Sequence, residues 1–497
     1  MERILKQPRF PGIATFFLTV LSYLVAEGTL LSLGRFQSLW MTAVFLGLTY
    51  SVIAYFAISK RHFGERCQEG VGFVLLCSVS LAVMSQVYLM HLTQGAPVAR
   101  EIASGGELLG HMVAIDPRQI FIMDGGIDEW VYVLFRNGLT SIPYEAIPVQ
   151  EKGILYLYSA AMALSGEFDT YLPVLVNWAA HVTSSLLLFA ISEKTFGRKA
   201  GLLAAGLLLV FPENLYWGGS LYKDGIVAML VLAAIHASLS VSTGGRRTHY
   251  YLTLALALYG LAFLRSGLLL AVVLAGFISV AVVGRNSIHK LAEYIVTIAA
   301  AATAFTLIFP ASVMADIEGK AFVRVYGKLA GGSSHGLDTQ NISYRTSKEE
   351  SLIERYGGGD LSFRTMHLVP LRVAGHLLAP FPPWERRFVG DWYILPATWT
   401  ILALLPYFAV GLYRSAAGGA SPSMVLLIYF IFLGTAIAFA GPFIYERYRL
   451  LITPLYLAIS ASTFVSSSWR RRALLLLMAL GFVVAAYFLW LLLRAGT

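Results

Sequence analysis

A carboxylate pair, a lysine–aspartate pair and a few well-separated cations are the residues of this chain whose types and spacing could do chemistry. Asp128 and Glu129 stand side by side within 123–166, a stretch that also carries Asp124, Arg136, Glu145, Glu151 and Lys152 between two apolar runs. Burying an unpaired carboxylate is costly, so an acidic cluster held against a membrane is a candidate site. A carboxylate within hydrogen-bond reach of a hydroxyl can take its proton as a new bond forms, which makes the pair a candidate general base. The pair equally suits the first turn of a helix, where the dipole favours acids. Lys223-Asp224 could fix a phosphate or an acceptor, and Asp224 also suits a helix N-cap with Lys223 snorkelling. Arg265, Arg447 and Arg449 present planar donor forks matched to phosphate oxygens. Arg386 and Arg387 offer the same fork or meet lipid headgroups.

The elements that must position these groups are apolar. Of 497 residues, 57% are hydrophobic and only 13% are charged, a balance outside the range of soluble globular domains. Apolar runs recur from Phe10 to Leu493, and at ~20 residues per crossing they predict an all-α polytopic membrane protein with about 13 transmembrane helices. Membrane lipids are therefore a partner, and nucleic acid is not: the net charge of +9 arises from Lys and Arg in short loops, which is a topology signal. Cys67 and Cys77 form no disulfide framework, and no Walker loop or GxSxG elbow occurs, which argues against an ATP-driven pump and an ordinary serine hydrolase.

The basic loops sort the chain. Arg3, Lys6 and Arg9, then KRHFGER at 60–66, EKTFGRK at 193–199, TGGRRTH at 243–249, GRNSIHK at 284–290 and SWRRR at 468–472 mark one side as cytoplasmic. This predicts N-terminal transmembrane helices over 1–91, a first external loop over 92–171, a transmembrane core over 172–310, a second large external loop over 311–390 and C-terminal helices over 391–497. The apolar run at 153–164 is too short to cross and is expected at the interface or dipping into the protein. Residues 250–284 exceed one crossing, so they are expected to fold back at Leu264-Arg265-Ser266. Pro212 to Gly225 is read as an external surface loop, and the stretch holding Arg364, His367, Arg372 and His376 as an interfacial amphipathic segment. Asn177, His181 and His236, inside spans, are expected to make helix–helix hydrogen bonds.

The order of features resembles a known family. Asp128-Glu129, Tyr132, Asn137-Gly138, Lys152-Gly153 and an apolar run to Gly166 are similar to the first external loop of GT-C glycosyltransferases, in the branch of protein O-mannosyltransferases and lipid A aminoarabinose transferases. The likeness continues through Gly197 to Ala204, Pro212 and Asp224, and returns at Arg447-Tyr448 with Pro454. The chain departs from that pattern in lacking a Pro-Pro after Lys152 and in placing two extra spans before the acidic loop.

The resemblance implies a GT-C-like bundle with two large external loops, and an inverting transfer of sugar from a polyprenyl-phosphate-linked donor to a hydroxyl of a glycan, lipid or protein acceptor. It implies Asp128 as base, with Glu129 and Asp224 as further catalytic acids, and Lys152, Lys223, Arg265, Arg447 and Arg449 as phosphate ligands. A divalent metal between Asp128 and Asp224 is compatible with this chemistry, though nothing demands one, and no other cofactor is implied. The implied location is a bacterial inner membrane, with the site facing the periplasm or exterior. The alternatives are an O-antigen polymerase or ligase, leaning on Arg265, His335 and Arg386, or a lipid-linked oligosaccharide transporter.

Overall fold

The computed structural model describes residues 67–94, 152–165, 171–219, 222–244, 248–284, 287–308, 368–378, 391–419, 421–439 and 446–495. Asp128 and Glu129 lie outside these residues, as do His335 and Arg386. Among the described residues the chain is helical, without strands, in two compact units. Five helical stretches are long and apolar enough to cross a membrane, or six if one bent pair counts as a span. The chain is an integral membrane protein. Its last helix, Trp469–Ala495, exposes Leu474, Leu477, Leu480 and Phe488, a face suited to lipid.

The first unit comprises Met1–Ser185 and Gly206–Ile226. It holds α1 (Cys67–Gln94), α2 (Lys152–Ser165), most of α3 (Tyr171–Phe196), the end of α4 (Arg198–Leu209), α5 (Pro212–Gly219) and the start of α6 (Asp224–Ser242). A polar stripe on α3 ties these helices together. Trp178 Nε1 donates to Cys77 O at 3.1 Å and Ser80 Oγ at 3.0 Å on α1, and Tyr158 of α2 donates to Asn177 Oδ1 at 3.2 Å. Pro212 has no N–H to continue α4, and α5 leaves at 44°. Orphan carbonyls at the ends of both helices are met from α3: His181 Nε2 donates to Leu209 O at the end of α4 at 3.2 Å, and Asn177 Nδ2 to Gly218 O in the last turn of α5 at 3.0 Å. The expected role of Asn177 and His181 in joining helices is thus observed.

The stretch read as an external loop from Pro212 is in fact a buried helix through Gly219. Glu213, Asn214, Leu215, Tyr216, Gly218 and Gly219 are all buried. Two glycines allow this. A Cβ at Gly218 would lie 2.6 Å from Met84 Cε, and one at Gly219 would lie 2.5 Å from the Met84 carbonyl, so only bare backbone lets α5 approach α1 so closely.

The second unit comprises Leu186–Ala205 and Val227–Thr497. Beyond α6 it contains α7 (Thr248–Arg265), a 3-10 turn (Ser266–Leu268), α8 (Leu269–Val283), α9 (Ser287–Ile308), α10 (Val369–Leu378), α11 (Asp391–Ala417) and α12 (Pro422–Phe439). A second 3-10 segment (Glu446–Leu451), α13 (Thr453–Ser466) and α14 (Trp469–Ala495) complete it. Helices α7 and α8 fold back on each other as their length predicts. Tyr251 donates a hydrogen bond to Glu293, while the neighbouring Tyr294 packs against Val273 and Gly276. Residues 251 and 276 would stand about 38 Å apart on one straight helix, too far to meet adjacent residues of α9. The turn falls at Arg265, whose φ of −156° and ψ of 69° are not helical.

The hairpin separates two ends of this unit. At one, Lys290 Nζ donates to Ser242 O at 3.1 Å and Lys194 Nζ to Ser240 Oγ at 3.2 Å, beside the basic loops. At the other, Arg265 sits against the 3-10 segment. Midway, Tyr294 and Tyr429 close on Gly276, and Tyr429 bonds Ser238 Oγ at 2.8 Å. A methyl group at 276 would overlap the Tyr294 hydroxyl and lie 2.9 Å from that of Tyr429. Gly276→Ala is therefore expected to destabilise the protein by ~1–3 kcal/mol, read as a lower thermal midpoint in detergent. Adding Tyr294→Phe should recover part of the loss, and an unchanged midpoint for Gly276→Ala would contradict this packing.

Candidate functional site

In the first unit the polar groups gather where α5 ends and α6 begins. Asp224 opens α6, where its charge complements the helix N-terminus, and is 2% exposed; Lys223 beside it is 4% exposed. Burial pushes the Tyr158 phenol well above the ordinary tyrosine range; its hydrogen bond to Asn177 works against this, and the charge of nearby Asp224 adds to it. Tyr158 thus stays protonated and serves as a donor. Tyr222 N bonds Trp217 O at 3.2 Å, and the Trp217 and Tyr222 rings meet edge to face at 4.8 Å. Tyr222 is in this way held against the end of α5, which keeps Lys223 and Asp224 near it. Lys152 is the first residue of α2.

Sequence reasoning singled out Lys223 and Asp224 here but missed Glu213, Asn214 and Trp217. Proline and paired glycines in PENLYWGG read as loop punctuation, yet Pro212 occupies the first helical position and the glycines serve close packing. The available signal was a polar pair three and four residues before a tryptophan, a spacing that places all three side chains on neighbouring helical positions.

In the second unit, cations gather at the turn end of the hairpin. The Arg265 guanidinium lies 4.8 Å from the Tyr448 ring centre, and the His376 ring lies 5.9 Å from the same ring. Arg449 is fully buried; its Nη1 donates to Leu377 O at 3.0 Å and Thr398 Oγ1 at 3.1 Å. Arg372 Nη1 donates to Ala438 O at 3.0 Å. Both arginines therefore meet carbonyls in the last turn of a helix, α10 and α12 respectively, where the dipole favours a cation. Helix α10 is amphipathic as expected, but with its polar face inward: Arg372 and His376 are buried while Leu371 is 42% exposed. The carbonyls that need donors lie inside, so the arginines turn to them. Arg447 belongs to the 3-10 segment between Glu446 and Leu451.

Arg265 and Arg449 are thus one residue removed from each other through Tyr448, with different duties. Arg265, half-buried and stacked on an aromatic face, has guanidinium edges suited to an anion. Arg449 is oriented by the carbonyl and hydroxyl it bonds. Among the described residues, no group of three or more His, Cys, Asp or Glu is placed to hold a metal ion.

Residues 153–313 match the family model described as dolichyl-phosphate-mannose-protein mannosyltransferase, a span that includes α5, Lys223, Asp224 and Arg265. The matched span overlaps the stretch from Gly197 to Asp224 on which the resemblance read from the motifs rests. No curated protein matches the chain. Among solved structures, the archaeal oligosaccharyltransferase AglB from Archaeoglobus fulgidus, in complex with an inhibitory peptide and a dolichol-phosphate, is similar over 83% of this chain and 55% of its own, at 15% identity and a TM-score of 0.45. The apo form of the Archaeoglobus fulgidus oligosaccharyltransferase is similar over 84% and 55%, at 15% identity and a TM-score of 0.46. This chain spans about half the length of those structures.

The duty of Arg449 is testable through stability. The shorter lysine cannot place its ammonium where Nη1 serves both acceptors, so Arg449→Lys is expected to cost ~1–3 kcal/mol and to lower the thermal midpoint. Thr398→Val should cost less, since the Leu377 carbonyl keeps its donor. Equal midpoints for the wild type and Arg449→Lys would show that these bonds contribute nothing.

Proposed function

We propose that this protein transfers a sugar from a polyprenyl-phosphate-linked donor to an acceptor hydroxyl at the outer face of the membrane, with inversion at the anomeric carbon. The observation that carries the reading is the family match over 153–313, which encloses a buried acid and cation, Asp224 and Lys223, among apolar helices. Charged groups in such surroundings are costly and mark function more often than packing. The acceptor oxygen loses its proton to a carboxylate and attacks the anomeric carbon, while the bond from that carbon to the phosphate oxygen breaks and the lipid phosphate leaves with the electron pair. A single displacement of this kind inverts the configuration.

Asp128 is the proposed base, with Glu129 beside it, and Asp224 orients the acceptor. Were a divalent metal used, Asp128 and Asp224 would hold it, and it would supply positive charge for the oxygens of the reacting groups. The leaving phosphate needs fixed cations. Lys152 and Lys223 are the candidates in the first unit, and Arg265 and Arg447 those in the second, with Arg449 holding the 3-10 segment that carries Arg447 and Tyr448. The basic loops support an N-terminus in the cytoplasm and an acidic loop outside; the proposed setting is a bacterial inner membrane with the site towards the periplasm. The acceptor is a glycan, lipid or protein hydroxyl, and the product serves cell-envelope polysaccharide or glycoconjugate synthesis.

Asp128→Asn keeps the shape of the side chain and removes its basicity. It is expected to lower turnover ~10²–10⁴-fold in a transfer assay with polyprenyl-phosphate sugars, leaving donor binding nearly unchanged. Near-normal transfer by Asp128→Asn together with loss in Arg386→Ala or His335→Ala would favour a polymerase or ligase instead. Arg265→Ala should weaken polyprenyl-phosphate binding ~10-fold or more, as expected for a lost charge-assisted bond. A cysteine placed at Gly126 or Gly336 of a Cys-free variant should react with a membrane-impermeant maleimide from the outside. Reaction only after the inner face is opened would reverse the orientation.

A further inference from the structure

On helix α5, Asn214 and Trp217 each carry a buried polar atom whose hydrogen-bonding capacity is not used within the described fold. Asn214 is 8% exposed and its Oδ1 accepts no hydrogen bond, and the buried Trp217 Nε1 donates none. Each such group costs ~1–3 kcal/mol when left unmade, so the pair is not a neutral feature of packing. The two side chains are three residues apart on one helix and are therefore neighbours. Glu213, fully buried, is four residues from Trp217 and adjacent to Asn214. The glycine side of the helix, Gly218 and Gly219, is pressed against Met84 and Val87 of α1. Glu213 and Trp217 project from the other side of α5, with Asn214 between the two faces, by the 100° step of an α-helix.

The chemistry of these atoms selects the ligand. It must accept from an indole N–H and donate to an amide oxygen. A simple anion would face the carboxylates of Glu213 and Asp224, and a simple cation would face the indole N–H and Lys223. A neutral polyol meets all of them, because each hydroxyl both donates and accepts and a carboxylate can take two hydroxyl donors at once. The Trp217 and Tyr222 rings, edge to face at 4.8 Å, add apolar surface suited to the C–H face of a pyranose. A peptide offers single N–H donors spaced along a chain, which uses the carboxylate less fully.

From this arrangement we infer that α5 is the sugar-recognition element, with Asn214 and Trp217 hydrogen-bonding hydroxyls of the hexose carried by the lipid-linked donor. The inference rests on the transferase reading above and adds to it the side chains that select the sugar. These residues act on the sugar ring, while the cations act on the phosphate, so the two contributions are separable by binding.

The test uses the full chain in nanodiscs, titrated with polyprenyl phosphate and with polyprenyl phosphates carrying mannose, glucose or galactose. At least one sugar-bearing lipid should bind the wild type more tightly than the bare lipid. Trp217→Phe, which keeps a ring and loses the N–H, and Asn214→Leu, which keeps the approximate volume and loses the amide, should each reduce that preference about tenfold. Affinity for the bare lipid should stay within about twofold, and Asn214→Leu should melt at or above the wild-type midpoint, because a buried polar group without a partner has been removed. A preference unchanged in both variants, or an equal loss for bare and sugar-bearing lipids, overturns the inference. It also falls if the wild type binds the bare lipid and prefers none of the sugars, an outcome that leaves the lipid-phosphate reading standing. Should the wild type bind none of the lipids, the transferase reading fails and the inference with it. Loss of binding to an acceptor peptide alone, with lipid selectivity intact, would assign α5 to the acceptor instead.

Discussion

A backbone carbonyl without a partner in an apolar interior must find a donor, and much of this structure follows from how that demand is met. Unbroken helices satisfy themselves, so polar side chains are needed only where a helix stops or bends. His181 and Asn177 serve Leu209 and Gly218 on either side of the break at Pro212. Arg372 serves Ala438 and Arg449 serves Leu377, each at a helix C-terminus, and Lys290 serves Ser242 in the same way. These capping residues are therefore placed by the helix ends and in turn hold those ends in register.

The candidate site is built on these interruptions. Because Pro212 ends α4, the chain forms a short helix within the first unit, and the Trp217–Tyr222 contact holds Tyr222 beside its end, with Lys223 and Asp224 following at the start of α6. In the second unit the capping arginines fix α10 and the 3-10 segment, and thereby Tyr448, the surface on which Arg265 lies. Rigid helices that end inside the protein can aim backbone and side chains at a ligand, which helices crossing uninterrupted cannot.

What the sequence made legible was whatever length and charge dictate. The reversal at Leu264-Arg265-Ser266 was readable because a largely apolar run of 35 residues, 250 to 284, cannot stand straight in a bilayer, and the fold-back is observed. The linking role of Asn177 and His181 was readable because polar groups in apolar helices need partners. What stayed illegible was tertiary. Proline and glycine mark both loops and tightly packed helix breaks, so Pro212–Gly219 read as surface. The inward turn of Arg372 depends on the Ala438 carbonyl, 66 positions away, and that of His376 is accompanied by a ring contact with Tyr448, separations no local pattern encodes. The acidic pair at 128–129 lies outside the described residues, so its role rests on the motif order alone.

The fold-back at Arg265 also has a consequence for how the chain is made. On insertion scales an arginine at the centre of a helix costs about 2.5–3.5 kcal/mol, while each Leu, Ile, Phe or Val contributes about −0.3 to −0.6 kcal/mol. With α7 and α8 emerging from the ribosome together, the two arms can partition into lipid as one hairpin, so that their combined apolar surface carries the arginine through the hydrocarbon at the tip instead of leaving it stranded mid-span. On the proposed topology the charge reaches the far side during synthesis, before α12 and the 3-10 segment have been translated.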